Sequence, residues 1–248
     1  MYIRLNFIAD NIPCIENSEW DIINNKNIEH VRDKIEKILA SDEISVKDVE
    51  DLWFPLVKAH IFISHSHKDI EIVRNVARYL YSEYGLICFV DEAVWGHVDE
   101  LLNTLDQKYC FNRKTGNYSY ERRNITTAHV HMILQIALTK MINSTECFMV
   151  LNTPNSINID KEMEKGYTYS PWIYSEIFHA NIIAQKKPER IGIKEERVCF
   201  ASNELKMKHE IDLKKFYSIT IEDFEDAAVD GSEGEDLLDS LYEIIMDN

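Results

Sequence analysis

Glycine is scarce in this chain, with only seven among 248 residues. The sequence contains neither G-x-G-x-x-G, the phosphate-binding pattern of Rossmann domains, nor the G-x-x-x-x-G-K-[ST] loop of P-loop ATPases. Both patterns need glycine because the backbone must approach phosphate groups closely. Their absence argues against a dinucleotide-binding Rossmann domain and against a P-loop ATPase.

Basic residues are also few. Lys and Arg total 27 against 43 Asp and Glu, which gives a formal net charge of −16. A charge of this sign repels phosphate, so we expect neither nucleic acid nor an anionic membrane as a partner. From Phe216 onward there is no Lys or Arg, although acidic residues are frequent there. We interpret that tail as a solvated acidic face.

The cysteines are few and scattered, and no C-x-x-C spacing occurs. An odd, unclustered set is typical of reduced thiols, not of a disulfide framework or a zinc site. No stretch approaches the roughly 18 apolar residues of a membrane span, and the first residues lack the pattern of a signal peptide. We therefore expect a cytoplasmic protein with no membrane partner. The cysteines are Cys14, Cys88, Cys110, Cys147 and Cys199.

Residues 1–58 have the pattern of a mainly helical N-terminal appendage. Ile3, Leu5 and Phe7 alternate with polar residues, which predicts a short strand. From Ser18 to Ala40 apolar residues recur with helical spacing, and a second short helix is predicted from Ser45 to Trp53. The apolar stripe is expected to pack against the main domain, with self-association as the alternative.

Residues 59–248 are predicted to form an α/β domain. The apolar run 60–64 predicts a buried strand, helical spacing follows from Ile70 to Tyr81, and Gly85 precedes a second apolar strand at 86–91. A strand, a helix and a strand within about thirty residues indicate a right-handed βαβ unit and hence a parallel sheet. Further strands are predicted at 147–151, 197–201 and 216–219, and a closing helix at 237–245.

The stretch Tyr169–Phe178 has the pattern of a helix start. Ser170 is a favoured N-cap, and Pro171 suits the first helical position. Trp172 and Glu176 are four residues apart and share one face. An aromatic side chain beside a carboxylate is suited to binding a flat cationic ring. The alternative for this stretch is an exposed Glu beside a half-buried Trp. A second, apolar face comprises Ile173, Ile177, Ala180 and Ala184.

Three motifs in this order resemble the TIR domain, the Toll/interleukin-1 receptor fold. They are HIFISHSHKD at 60–69, GLICFVDEAVWG at 85–96, and SPWIYSE at 170–176, which matches the family's W-x-x-x-E signature. The resemblance implies a flavodoxin-like fold with a five-stranded parallel sheet, strand order 2-1-3-4-5, and helices on both faces. It also implies a mobile loop after the second strand, passing through Trp95 and Gly96.

The resemblance further implies an enzyme, because many TIR domains cleave NAD+ at the nicotinamide–ribose bond. The catalytic residue of the signature falls on Glu176. NAD+ would be the substrate, and no metal is expected. Open α/β sheets bind ligands beyond the carboxyl ends of their strands, and the residues expected to bind substrate there are His65, Ser66, Phe89, Asp91, Trp95 and Trp172.

The segments 127–134, 146–157 and 169–177 are similar to TIR proteins of bacterial Thoeris-type antiphage defence systems. That resemblance implies a signalling nucleotide derived from ADP-ribose, which activates a separate effector protein, with a phage component as trigger. TIR–TIR contacts would provide self-association. The sequence leaves the product open among ADP-ribose, a cyclic isomer and an ADP-ribosyl conjugate.

Three other interpretations stay open at this level. A non-catalytic TIR adaptor would use the same residues for folding or assembly. A receiver-like domain is disfavoured because receivers need clustered acids after the first strand, where His65-Ser66-His67 stands. A metal site is opposed by the absence of clustered carboxylates; its candidate ligands would be His60, His65, His67, His97, His129 and His131.

The segment between the second and third strands is longer than in compact TIR domains. We interpret residues 110–130 as an insertion, with a polar stretch from Cys110 to Asn124 followed by a helix that includes Val130 to Met141. The insertion has the chain's only basic and aromatic patch. It is either a solvated surface or a contact for phosphates or a protein partner. Its residues are Tyr109, Phe111, Arg113, Lys114, Tyr118, Tyr120, Arg122 and Arg123.

Overall fold

The computed structural model describes residues 1–9, 12–16, 19–23, 45, 47, 56–90, 92–160, 165–188, 190, 209–210, 213, 216–228 and 232–247. Most of the helix predicted at 18–40, most of the helix predicted at 45–53, the strand predicted at 197–201, and Asp91 lie outside these residues. Within the described ranges, no helix has the combined length and apolar character needed to cross a membrane.

The described strands form one parallel sheet and two small antiparallel sheets. In chain order the strands are β1 (Ile3–Ile8), β2 (Ile61–Ser64), β3 (Cys88–Val90), β4 (Phe111–Asn112), β5 (Asn117–Tyr118), β6 (Cys147–Asn152), β7 (Asn158–Asp160), β8 (Lys165–Thr168), β9 (His209–Glu210) and β10 (Tyr217–Ile219). The parallel sheet has the order β10-β1-β6-β2-β3, the hairpin is β4-β5, and the third sheet is β7-β8-β9.

The described helices are α1 (Ile70–Tyr84), α2 (Glu92–Leu105), α3 (Tyr120–Ser144), α4 (Pro171–Ile182), α5 (Ile221–Ala227) and α6 (Gly234–Asp247). Four of the six described helices, α1, α3, α4 and α6, lie where helical spacing predicted them, whereas α2 and α5 were not predicted. Gly85 ends α1 as predicted: its φ is 65°, in the left-handed region, and its N–H donates to the carbonyl of Tyr81 at 2.9 Å. The predicted strand, helix, strand unit is therefore confirmed.

The sheet agrees with the predicted α/β class but not with the predicted strand order. The strands β3, β2 and β6 are neighbours in that order, as a 2-1-3 arrangement requires. The next position is taken by β1, which pairs in parallel with β6 on one side and with β10 on the other. The order 2-1-3-4-5 is therefore wrong at this position, because the N-terminal strand occupies it.

The strand β1 is an interior element, so the prediction of a separate appendage is wrong for this segment. Ile3, Leu5 and Phe7 are at most 1% exposed, and they belong to the main hydrophobic core. Trp20 is also buried there, and its Nε1 donates to the carbonyl of Cys88 at 3.1 Å. The alternating apolar residues were interpreted correctly as a strand, but they lie inside the sheet.

The two faces of the parallel sheet bury different residues. One face joins α1, α5 and α6 in the main core, which includes Ile61, Met149 and Leu241. The opposite face has an aromatic row in which Phe62 lies between Phe89, at a centroid distance of 5.4 Å, and Phe148, at 5.6 Å. Helices on both faces are the arrangement expected for a parallel sheet.

Residues 21–57 and 91–141 form a second compact unit. The prediction of a loop through Trp95 and Gly96 is wrong, because the backbone at both positions belongs to α2, which begins at Glu92. Apolar residues at 94, 98, 101 and 105 follow helical spacing, which accounts for the helix, and Val98 and Leu101 are buried. The predicted insertion contains the hairpin β4-β5, and then the predicted helix, which starts earlier than expected, at Tyr120.

A buried carboxylate fixes the base of this hairpin. Asp106 is 4% exposed, and it accepts hydrogen bonds from Arg123 Nε at 2.7 Å and from Thr126 Oγ1 at 2.7 Å. Burial alone would raise the pKa of Asp106, but the hydrogen bonds from Thr126 and Arg123 outweigh burial and lower it below the ordinary value of 3.8. The ionised form of Asp106 therefore stabilises the fold.

Asp106→Asn is expected to lower the free energy of unfolding at neutral pH by roughly 1–3 kcal/mol. Because the folded state lowers the pKa of Asp106, this contribution is present above pH 3.8 and is lost as the pH falls further. Urea unfolding of both proteins across this pH range measures the effect. The difference between them should shrink in acid, and a difference independent of pH would show that the charge is not responsible.

Candidate functional site

Glu176 is buried on α4, although one interpretation of the sequence placed it in solvent. Its exposed fraction is 1%, and Trp172, one turn earlier, is partly buried. The helix starts as predicted: Ser170 Oγ accepts from the N–H of Ile173 at 3.3 Å, and Pro171 occupies the first turn. A carboxylate is expensive to bury without a role, so its burial identifies Glu176 as the first candidate functional residue.

The strand β1 anchors the other end of this helix. Arg4 is 4% exposed, and its Nε donates to the carbonyl of Ala180 at 2.7 Å, while its Nη2 donates to the carbonyl of Ile183 at 3.3 Å. These bonds satisfy carbonyls at the C-terminus of α4, where a cation is electrostatically favourable. The helix that bears Glu176 therefore lies on the sheet face from which Arg4 projects.

Polar residues follow Arg4 on the same sheet face. Asn6 is two residues after Arg4, so both project from one face. Asn6 pairs with Val150, and Val150 pairs with Ser64 at the carboxyl end of β2. Ser64 is fully buried, and among the described residues neither Ser64 Oγ nor Asn6 Oδ1 has a hydrogen-bond partner. With adjacent strands about 4.8 Å apart, the two residues are about 10 Å apart.

The sequence analysis did not predict Ser64 or Asn6 as site residues. The available signal was the position of each residue in its strand: Ser64 ends the apolar run 60–64, and Asn6 lies between Leu5 and Phe7. That signal was insufficient because the neighbour of β6 was predicted incorrectly. Since α4 lies against β2, the hydroxyl of Ser64 and the carboxylate of Glu176 share one covered side of the sheet. An unpartnered hydroxyl and a carboxylate can together bind a ligand that has several hydroxyl groups.

A second buried carboxylate joins the loops that follow β2 and β6. Asp69 is 2% exposed; its Oδ2 accepts from Thr153 Oγ1 at 2.5 Å and from Ser156 Oγ at 3.2 Å, and its Oδ1 accepts from Asn155 Nδ2 at 2.7 Å. Ser156 Oγ in turn accepts from the N–H of Ser66 at 2.9 Å. These bonds bring the predicted binding loop at 65–66 together with the loop after β6.

The remaining predicted site residues lie in different surroundings. His65 is buried, with Nδ1 3.3 Å from the carbonyl oxygen of Ile63, and Ser66 caps the short 3-10 turn His67–Asp69. Phe89 projects toward Phe62 on the face with the aromatic row. The backbone at Trp95 is helical, in α2. The structure thus joins His65 and Ser66 to one edge of the sheet, and it places Trp172 and Glu176 together on α4.

Two further observations concern the surroundings of Glu176 and the metal interpretation. Burial lowers the pKa of His179, so the imidazole three residues from Glu176 is neutral at pH 7. Within the part of the chain that the structure describes, no three His, Cys, Asp or Glu side chains lie close enough together to hold a metal ion. No ligand set therefore supports the metal interpretation, which remains a hypothesis.

An open cleft lies at the opposite edge of the sheet. It is lined near the amino ends of β1 and β6 by residues that include Met1, Glu146 and Arg190. Arg190 is held by ion pairs with Glu146, with Asp239 at 2.7 Å and with Glu235 at 3.5 Å. Because parallel sheets bind ligands at their carboxyl edge, and because carboxylates already engage Arg190, we regard this cleft as structural.

Comparison with known proteins yields no relative. No protein-family model, no curated protein and no solved structure matches the chain.

Proposed function

We propose that this protein is a TIR-like enzyme that cleaves the nicotinamide–ribose bond of NAD+, with Glu176 as the catalytic carboxylate. The observation that supports this most is the burial of Glu176 on α4, on the sheet face shared with Ser64. The W-x-x-x-E resemblance and the neighbouring order β3-β2-β6 agree with the proposal.

The chemistry requires one carboxylate and no general acid. The nicotinamide ring of NAD+ is cationic and leaves as a neutral molecule, so nothing needs to protonate it. The ribose gains oxocarbenium character as the bond breaks, and a carboxylate close to the anomeric carbon stabilises that charge. The low dielectric of a buried site strengthens this attraction. Trp172 would provide a stacking surface, and the hydroxyl of Ser64 would bind a ribose hydroxyl.

Burial also restricts turnover. With 1% of Glu176 exposed, a nucleotide does not reach the carboxylate unless α4 or the adjoining loops move. We therefore expect low activity from the isolated protein, and higher activity once assembly or a trigger favours an open form. How completely the closed site excludes bulk water would decide whether water or a nucleophilic atom of the substrate itself captures the ribosyl cation.

Replacing NAD+ by NADH is expected to abolish cleavage of the bond between the ribose and the nicotinamide-type ring. The dihydronicotinamide ring of NADH is neutral, so it would have to leave as an anion, which a carboxylate opposes. Liquid chromatography with mass detection of the products of each dinucleotide makes the comparison. If NADH is cleaved as fast as NAD+, the chemistry is not driven by a cationic leaving group.

The biological setting follows from the same proposal. The product would be an ADP-ribose-derived signalling nucleotide of bacterial antiphage defence that activates a separate effector, with a phage component as trigger and TIR–TIR contacts for assembly. The alternative is a non-catalytic TIR adaptor. An adaptor has no need of a carboxylate that is 99% covered on the inner side of α4, so the burial of Glu176 favours the enzyme.

A further inference from the structure

Asp69 is a second buried carboxylate, in addition to the proposed catalytic residue Glu176. It is 2% exposed, is the last residue of the short turn His67–Asp69 that follows β2, and immediately precedes α1. All three side chains that donate to it come from the loop after β6, at distances of 2.5 to 3.2 Å. A single buried charge therefore joins the two loops at the carboxyl edge of the sheet.

We propose that Asp69 is a positioning residue: it fixes the loop after β2 to the loop after β6 and so sets the substrate-binding geometry of His65 and Ser66. The inference rests on the proposed function for its substrate. Asp69 acts through Ser156, whose Oγ donates to Asp69 Oδ2 at 3.2 Å and accepts from the N–H of Ser66 at 2.9 Å.

The energetics favour a rigid junction over a passive surface contact. Hydrogen bonds to an ionised group are roughly twice as strong as neutral ones. Thr153 Oγ1 also accepts from the N–H of Ser156 at 3.2 Å, so the loop after β6 is closed by its own side chains as well. Removing one of these donors leaves the Asp69 carboxylate buried with fewer hydrogen bonds. Because Asp69 joins the loop after β2 to the loop after β6, both loops then become less constrained.

Thr153 offers a matched pair of variants, because valine keeps the shape and serine keeps the hydroxyl. Thr153→Val is expected to raise KM for NAD+ about tenfold with little change in kcat, since one charge-assisted hydrogen bond is lost away from the reacting bond. Thr153→Ser, which retains the donor to Asp69, should return KM close to the wild-type value. An unchanged KM in Thr153→Val, or an equal rise in both variants, overturns the proposal.

Backbone amide exchange provides a measurement that is independent of catalysis. In Ser156→Ala the N–H of Ser66 loses its acceptor, so its exchange should accelerate about tenfold or more, while the amides within the interior strand β1 stay protected. Faster exchange at Ser66 without any NAD+ cleavage by the wild type supports the junction and counts against the proposed function alone. Unchanged exchange at Ser66 overturns the junction whatever the enzyme assay gives.

Discussion

Phe7→Ala is expected to lower the free energy of unfolding by about 3–5 kcal/mol, the usual cost of deleting a buried aromatic ring. Phe7 is fully buried on β1, and its ring lies 6.4 Å from that of Phe224. The strand β1 is hydrogen-bonded on both sides, to β6 and β10. A cavity at Phe7 therefore disrupts the centre of the sheet, and urea denaturation measures the loss.

Phe178→Ala is the matched control for this substitution. It deletes the same atoms from a ring that is 51% exposed on α4, so the expected loss is roughly 1 kcal/mol or less. If Phe7→Ala were as mild as Phe178→Ala, β1 would be a dispensable appendage, as the first residues of the sequence suggest. A loss several times larger supports the interior position of β1.

Glu176→Gln is expected to reduce the rate of nicotinamide release by 10²–10³-fold, which corresponds to about 3–4 kcal/mol of transition-state stabilisation. Glutamine has nearly the same shape as glutamate but no charge, so the oxocarbenium-like ribose loses its counter-charge. Since the interaction forms in the transition state, kcat should fall while KM for NAD+ changes little.

Two controls separate chemistry from folding in this experiment. Glu83→Gln makes the same atomic change at an exposed position of α1, and it should leave the rate unchanged. The melting temperature of Glu176→Gln should stay close to that of the wild type, because glutamine keeps the size and shape of glutamate. Loss of activity together with early melting would attribute the effect to the fold and not to the charge.

Local features of the site could be predicted from the sequence. Ser170 and Pro171 mark the start of α4 by N-cap and first-turn preferences, which depend only on neighbouring residues. The same holds for Gly85, whose left-handed conformation ends α1. The order of β3 and β2 also followed from local information, because a short right-handed βαβ connection makes the two strands neighbours.

Features that depend on distant residues could not be predicted in this way. The alternation of Ile3, Leu5 and Phe7 indicates a strand, but it contains no information about its neighbours. In the structure Ile3 pairs with Cys147, and Leu5 pairs with both Met149 and Tyr217. The burial of Glu176 follows from this arrangement, because the helix that bears it is held at its end by Arg4 of β1.

The hydrogen bonds of Asp69 could not be predicted from the sequence for a related reason. The sequence predicts a favourable acidic residue near the start of α1, which is correct for its position. Its partners lie 84 to 87 residues later in the chain. Hydrogen bonding between two loops at one edge of a sheet depends on the order of the strands in that sheet. A helix-capping preference depends only on neighbouring residues, so it does not predict such a contact.

The most direct test of the proposed function is a mass-resolved time course of NAD+ with the wild type and with Glu176→Gln, at equal concentrations of folded protein. High protein concentration would favour any assembly that opens the site. The proposed function predicts nicotinamide and an ADP-ribose-derived product from the wild type, with release by the variant lower by 10²–10³-fold. Equal release by the two proteins, or none from the wild type, would contradict Glu176-dependent cleavage of NAD+.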